Sequence, residues 1–379
     1  MRQLVGITGS GAIGVDPFDP WTWSGSSRFF FRECDQRGHL RRAFGVEAPC
    51  FMKYGCALLN FSRDRVKWRR KFYMDVRYRR SLTGQIAKRL NQEDFDSDFL
   101  QIGAMYDVPS IVRRRSKCFM YSDGNFATSL KSPYFPSGIS RRSIDRIFAY
   151  EKDVYSSLDM IFTMSEYLRQ SFIDDFGVNP QRVVHIGAGC NLEELPSLDE
   201  GKVYDNGVLL FIGADFDRKG GPDLLRAFSV LRQRIPHATL HIVGPPKPIS
   251  DSTAPGVVWH GFLRKGEPAE AKTLNELFRC ATIFVMPSIF EPFGIAPMEA
   301  MSYGIPCVVS NAWALPEIVT KGVTGELVDC GQWEELADVL VEMLMNPMQL
   351  KAYGKAGRER VQGHTWAAVV DRMIAALPA

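Results

Sequence analysis

Two glutamates eight positions apart, Glu291 and Glu299, frame the stretch best equipped for chemistry: Met286-Pro-Ser-Ile-Phe-Glu-Pro-Phe-Gly-Ile-Ala-Pro-Met-Glu-Ala-Met-Ser-Tyr-Gly-Ile-Pro-Cys-Val-Val-Ser. The pattern predicts a strand ending at Met286, a loop carrying Glu291 and a helix starting near Gly294. The backbone N–H groups of Phe293, Gly294 and Ile295 then become donors with no intrahelical partner, suited to an anion. Gly294 lets a ligand approach the backbone closely. Glu299, about one turn into that helix, can reach a ligand held at its head. Two carboxylates so spaced can grip hydroxyls at both ends of one elongated ligand. The competing reading makes Glu291 an acid favoured by the helix dipole and Glu299 a solvated residue. The flanking Pro-Phe-Gly and Glu-Ala-Met-Ser-Tyr-Gly favour the ligand.

A second constellation lies upstream in Leu210-Phe-Ile-Gly-Ala-Asp-Phe-Asp-Arg-Lys-Gly-Gly-Pro-Asp-Leu-Leu-Arg-Ala-Phe, which predicts strand, loop and helix. Arg218 and Lys219 sit where the helix begins, which its dipole disfavours for cations. An anion bound there would account for them; ordinary surface charge is the alternative.

The stretch from Met286 to Ser310 resembles the signature of glycosyltransferase family 4, retaining enzymes of the GT-B fold. The resemblance is densest over about residues 205–330. It implies that Glu291 contacts the donor sugar's hydroxyls and Glu299 the ribose hydroxyls, while the amides of Phe293, Gly294 and Ile295 touch the sugar or the diphosphate. It assigns Arg218 and Lys219 to the diphosphate and groups Gly213 with the donor-binding residues. Val258-Trp-His-Gly-Phe-Leu is similar to the family's base-contacting strand, which brings in Gly261, Phe262 and Leu263. His260 there is read as structural. Arg218, Lys219 and Glu291 are the expected catalytic residues, and UDP and GDP donors both fit.

The first half is read more thinly. Trp23-Ser-Gly-Ser-Ser is similar to a glycine-bearing loop that approaches donor phosphate and acceptor, making Gly25 a candidate; a capped turn is the alternative. Many members of the family place a histidine near the reacting carbon. Here Tyr121-Ser-Asp-Gly-Asn-Phe occupies that loop, so Asp123 is the acceptor-side candidate, with a turn former as its other reading. Gly9-Ser-Gly-Ala-Ile-Gly14 fits a dinucleotide fingerprint, but Pro17 and Pro20 oppose the helix that should follow. That leaves a nicotinamide-dependent dehydrogenase as a lesser alternative. A sugar-nucleotide- or glycan-binding module without transfer is the nearer one, and phosphorylase-type chemistry on the same fold stands beside them.

Elements to position these residues are legible in outline. Short apolar runs alternate with amphipathic stretches, the rhythm of doubly wound α/β units with parallel sheets. At 379 residues the chain predicts two such Rossmann-like domains, which the resemblance sets facing across a cleft in a GT-B arrangement. The expected bounds are 1–198 for an acceptor domain and 199–362 for a nucleotide-sugar domain. A C-terminal helix within 363–379 is expected to return to the first domain.

A net charge of +3 is small for this length. Between Arg63 and Arg80, however, nine Lys or Arg stand against two acids, with Trp68, Phe72, Tyr73 and Tyr78 interleaved. This segment suits an anionic membrane surface or, alternatively, a solvated helix with a half-buried aromatic stripe. No nucleic-acid partner is expected. Eight scattered cysteines without CxxC spacing point to a reducing compartment. The start is apolar for too few residues to be a signal peptide, and no run suffices for a membrane span. The expected place is the cytoplasm or the membrane's inner face. No Asp-x-Asp follows a strand, so no metal is expected and the nucleotide-sugar serves as co-substrate. Glycan, lipid-linked and small-molecule hydroxyl acceptors stay open.

Overall fold

A computed structural model describes residues 2–9, 14–112, 116–197, 201–245 and 254–378. The chain divides into two compact units, Met1–Gly189 with Trp366–Ala379, and Cys190–Thr365. The bounds expected from sequence were 198/199 and 362/363, and the former lies outside the described residues.

The first unit runs β1 (Leu4–Gly9), α1 (Ser26–Gln36), β2 (Leu40–Val46), α2 (Cys50–Leu59), α3 (Arg65–Tyr73) and α4 (Val76–Arg89). It continues through β3 (Asp98–Ile102), β4 (Cys118–Ser122), α5 (Phe126–Lys131), α6 (Arg141–Ser157), β5 (Met160–Thr163), α7 (Glu166–Phe176) and β6 (Val183–His185). Its strands pair in parallel in the order β2-β1-β3-β4-β5-β6. β1, β3 and β4 are buried along their whole length, because helices cover both faces of a parallel sheet. Their largely apolar runs follow from that burial.

The second unit contains β7 (Val208–Ile212), α8 (Gly221–Arg234), β8 (Thr239–Val243), β9 (Val257–Gly261), α9 (Pro268–Cys280), β10 (Ile283–Met286) and α10 (Ile295–Ser302). Then come β11 (Cys307–Ser310), α11 (Leu315–Ile318), β12 (Gly325–Val328), α12 (Trp333–Leu344) and α13 (Pro347–Val361). This sheet too is parallel, ordered β12-β11-β10-β7-β8-β9. The order reverses between β7 and β10, and ligands of such sheets bind beyond the carboxyl ends of the strands at that switch. The loops after β7 and β10 carry Arg218, Lys219 and Glu291.

The last helix, α14 (Trp366–Ala376), belongs to the first unit. Trp366 packs edge-on against Phe30 of α1 with ring centroids 6.1 Å apart. Arg372 Nε donates to the Ile186 carbonyl at 2.7 Å. A Cβ on Gly189 would meet the Trp366 backbone at 2.5 Å, so only glycine lets the chain pass there.

Candidate functional site

Arg218 and Lys219 precede α8 rather than riding on it; Gly220, at φ 74°, is the helix N-cap. A Cβ on Gly220 would lie 1.9 Å from the Pro287 carbonyl oxygen, so this glycine allows the loops after β7 and β10 to touch. Hydrogen bonds then join them. Arg218 Nη1 donates to the Phe290 carbonyl at 2.6 Å, and Ile289 N–H donates to the Arg218 carbonyl at 2.9 Å. Arg218 Nε also donates to Asp215 Oδ2 at 3.2 Å. The guanidinium is thus fixed at both ends before any ligand arrives.

The two cations converge on Glu291. Its Oε2 lies 3.2 Å from Lys219 Nζ and 3.6 Å from Arg218 Nη1. That oxygen is buried and meets them by charge, without an aligned hydrogen bond. Burial works against a charged Glu291, yet the Lys219 ammonium and Arg218 guanidinium outweigh it and hold the carboxyl below its usual range. Lys219 also donates to Met286 Sδ at 3.4 Å. A thioether accepts weakly, so the ammonium keeps capacity for a better acceptor.

Above this cluster α10 begins at Gly294, φ 119°, with no side chain capping its N-terminus. The helix mouth of Phe293, Gly294 and Ile295 therefore lies next in sequence to the buried carboxylate. Phe290 stacks edge-on with Trp313, centroids 4.9 Å apart, and Trp313 Nε1 donates to the Ile289 carbonyl at 3.0 Å. Trp313 holds φ at 60°, a left-handed conformation costly for a side chain of this size. It braces the Glu291 loop, and sequence reasoning missed it.

Glu299 is buried rather than solvated, 4% exposed. It forms an ion pair with Lys265, whose Nζ also reaches the Asn191 carbonyl at 3.4 Å. Lys265 is a second omission. Its only signal was position, in the loop after the strand ending at Gly261.

Glycines meet along the carboxyl edge of β7, β8 and β9. Gly213 N–H donates to the Val243 carbonyl and Gly244 N–H to the Gly261 carbonyl, each at 2.8 Å. A Cβ on Gly213 would lie 2.2 Å from Lys219 Cδ, so the bare backbone lets the lysine stem cross the strand end. A Cβ on Gly244 would lie 2.4 Å from the Gly213 carbonyl carbon. The result is a shelf without side chains, continued by exposed Phe262 and half-buried Leu263. His260 pairs with His241, ring nitrogens 2.9 Å apart and rings stacked, a partnership inside the sheet.

In the first unit, Gly25 (φ 88°) is the N-cap of α1, which begins at Ser26, inside the stretch Trp23–Ser27 after which a helix was expected. Trp23 and Ser24 before it are also left-handed, at φ 51° and 56°. The Trp23 ring lies 5.2 Å from that of Tyr121, whose hydroxyl donates to the Gly187 carbonyl at 2.6 Å. Burial pushes the Tyr121 phenol well above its ordinary value, and the Asp123 charge adds to this. Gly25 and Asp123 therefore flank one aromatic pair. Residues 10–13 of the dinucleotide-type motif lie outside the described residues; after Gly14 the chain makes turns and a short 3-10 turn at Thr22–Gly25, and no α-helix opens before Ser26. Asp94, ahead of β3, and Asp98, its first residue, have structural partners: Asp94 receives Arg42 and Asp98 the Lys117 N–H at 2.8 Å.

Residues 199–360 match the model of the family described as glycosyl transferases group 1. Alpha-maltose-1-phosphate synthase of Mycobacterium tuberculosis is 35% identical over 108 residues, 27% of this chain and 28% of that protein. O-antigen chain mannosyltransferase B of Escherichia coli is 27% identical over 59% of this chain and 62% of its own length. The chain thus spans under two thirds of either relative. Among solved structures, sucrose-phosphate synthase of Thermosynechococcus elongatus superposes with a TM-score of 0.71 at 18% identity, over 99% of this chain and 98% of that one. Anabaena HepE in complex with UDP and glucose gives 0.64 at 16% identity, each chain fully covered. These likenesses establish the fold, two Rossmann-like α/β domains of the GT-B class.

Proposed function

We propose that the protein is a glycosyltransferase of the family 4 type, moving a hexose from a UDP- or GDP-sugar, with retention, to a hydroxyl acceptor. The observation that carries this reading is the convergence of Arg218 and Lys219 on buried Glu291 beside the uncapped mouth of α10. Glu291 and the exposed Asp215 already balance the two cations in charge, but the uncapped helix mouth and a Lys219 ammonium whose other contact is a thioether still offer donors that a diphosphate would fill. The match of residues 199–360 to glycosyl transferases group 1 supports the same assignment.

In the proposed reaction the bond from C1 to the diphosphate oxygen breaks while an acceptor oxygen bonds to C1 on the same face. The leaving phosphate takes the acceptor proton. Arg218 and Lys219 stabilise the charge growing on that phosphate, and Glu291, kept ionised by them, orients the sugar hydroxyls. Glu299 and Lys265 hold the ribose, and the shelf of Gly213, Gly244 and Gly261 with Phe262 and Leu263 receives the base. Gly25 and Asp123 serve the acceptor side. Because cations perform the electrostatic work, transfer is expected to survive excess chelator. Relatives named for O-antigen chain and maltose-1-phosphate synthesis lend support to a glycan or small-molecule acceptor, and a lipid-linked one is proposed beside them.

A panel of UDP- and GDP-sugars, each assayed for thermal stabilisation and for transfer or slow hydrolysis, tests the reading. One nucleotide family should raise the melting temperature, since a ligand bound only by the native state stabilises it. No stabilisation by any of them would remove the reading. Stabilisation without turnover would favour a binding module, which the lack of a histidine in the Tyr121–Phe126 loop also favours. Activity lost in chelator and restored only by Mg²⁺ would refute metal independence.

A further inference from the structure

The basic segment 63–80 divides in the structure into buried and exposed parts. Arg79 is buried, donating to Glu151 at 2.8 Å and to the carbonyls of Tyr73 and Ala104 at 3.0 Å. Tyr78 lies in the core, and Phe72 and Tyr73 pack against it. Trp68 Nε1 donates to the Ala57 carbonyl at 2.7 Å. The interleaved aromatics therefore face inward. Arg63, Arg65 and Arg69 remain exposed.

The apolar surface lies instead on the preceding helix. Phe51, Tyr54 and Leu58 of α2 are 74%, 73% and 77% exposed, and their spacing sets them on one helical face. Leu59 and Phe61, 66% and 62% exposed, extend the stripe past the helix end. Cys56 of the same helix is buried in the core, so α2 is held with this face outward. The Trp68 bond and Asn60 Nδ2, donating to the Cys56 carbonyl at 2.8 Å and to Asp75 Oδ2 at 2.7 Å, fix it there. An apolar stripe of this kind in water marks a surface made to be covered.

Beside it opens a cavity of about 750 Å³ whose wall includes Leu59, Lys71, Arg77, Arg80 and Arg146. Its acids are Asp75, already held by Arg77 at 2.6 Å, and Asp153. Leu59 belongs to both features, so the apolar stripe continues into a wall with an excess of cations. Pairing with a second copy through the same face would set each basic α3 against its own likeness, and like charges oppose that. A sheet of anionic headgroups over hydrocarbon matches both halves.

We propose that the first unit docks on an anionic lipid bilayer, with the α2 stripe at the hydrocarbon boundary and the cations of α3 and the adjoining cavity among the headgroups. This docking does not depend on sugar transfer, and nucleotide-induced stabilisation reports separately on the second unit.

The test is co-sedimentation of the full chain with phosphatidylcholine vesicles, with and without phosphatidylglycerol. Binding should require phosphatidylglycerol and weaken as salt rises. Tyr54→Asp with Leu58→Asp, and separately Arg65→Glu with Arg69→Glu, should each lower the partition coefficient about tenfold or more at an unchanged melting temperature. Equal partitioning onto both vesicle types, or wild-type binding by both variants, would overturn the proposal. So would a lipid-free dimer in sedimentation velocity that Leu58→Asp dissociates, because the stripe would then belong to a second copy. At matched ionic strength, inorganic phosphate should release the protein no better than chloride; selective release would assign the cavity to free phosphate and overturn its place among the headgroups.

Discussion

The two units share one architecture and furnish its carboxyl edge in opposite ways. In the second, the switch between β7 and β10 gathers Arg218, Lys219 and Glu291, with bare glycine backbone beside them. In the first, the corresponding switch between β1 and β3 is filled by the chain itself. Tyr106 donates its hydroxyl to the Ile7 carbonyl at 2.6 Å, and a Cβ on Gly9 would meet its ring at 2.6 Å. Both edges use glycine to admit something close. One admits a side chain of its own, and the other leaves a helix mouth uncapped beside its charges. Equal topology therefore does not mean equal chemistry; the site resides in loops grafted onto the sheet.

The largest effect should come from removing the charges of the second edge. Arg218→Ala and Lys219→Ala should each slow transfer about 10²–10³-fold and abolish the thermal shift given by the nucleotide donor. Full rates in both would break the comparison outright. In the first unit the strongest charges serve the fold. Arg79→Ala leaves Glu151 buried beside Tyr155, whose hydroxyl donates to it at 2.6 Å, and should destabilise the unit by about 3–5 kcal/mol in denaturant titration. A loss near zero would mean that this pair is not the counterpart assumed. A smaller effect is expected at Gly25. An alanine there must adopt φ 88°, costing about 1–2 kcal/mol of stability, and should slow transfer while the donor's thermal shift persists. Loss of that shift would move Gly25 from the acceptor side to the donor side.

The smallest effect is set by pH. Burial lowers the pKa of both His241 and His260, and the His260 imidazole adds to the lowering at His241. The unfolded chain takes up these protons near the model-peptide value of 6.5, before the native protein does. Stability present above that pH is therefore lost as pH falls through 6.5 toward the depressed native values. Melting temperatures should decline over that window, and His241→Gln with His260→Gln should flatten the decline. An unchanged slope in the double variant would dismiss the pair as its source.

Much of this was legible in the residues, for reasons that also explain what was not. Buried strands such as β3 and β10 read as apolar runs because helices cover both faces. β2 and β12 escaped notice because they lie at sheet edges and carry Arg41, Arg42 and Glu326 on partly open faces. Arg218, Lys219 and Glu291 were found through local pattern, and the structure brings them together across strands adjacent in the sheet. The pairing of Glu299 with Lys265 joins residues 34 positions apart, one on a helix and one on a loop, and nothing in local spacing encodes it. The outward face of α2 was hidden for another reason. Its Phe51, Tyr54 and Leu58 have the composition of a core helix, and only burial distinguishes a stripe turned inward from one turned outward.

The return of α14 has a consequence for how the protein comes into being. Trp366 packs on Phe30, and Arg37 pairs with Asp371 at 3.2 Å. On the ribosome, the unit begun first therefore waits for its closing piece until the whole of the other has emerged. The later-made half is free to mature earlier, and a premature stop in the last dozen codons before Ala376 would injure the half synthesised at the outset.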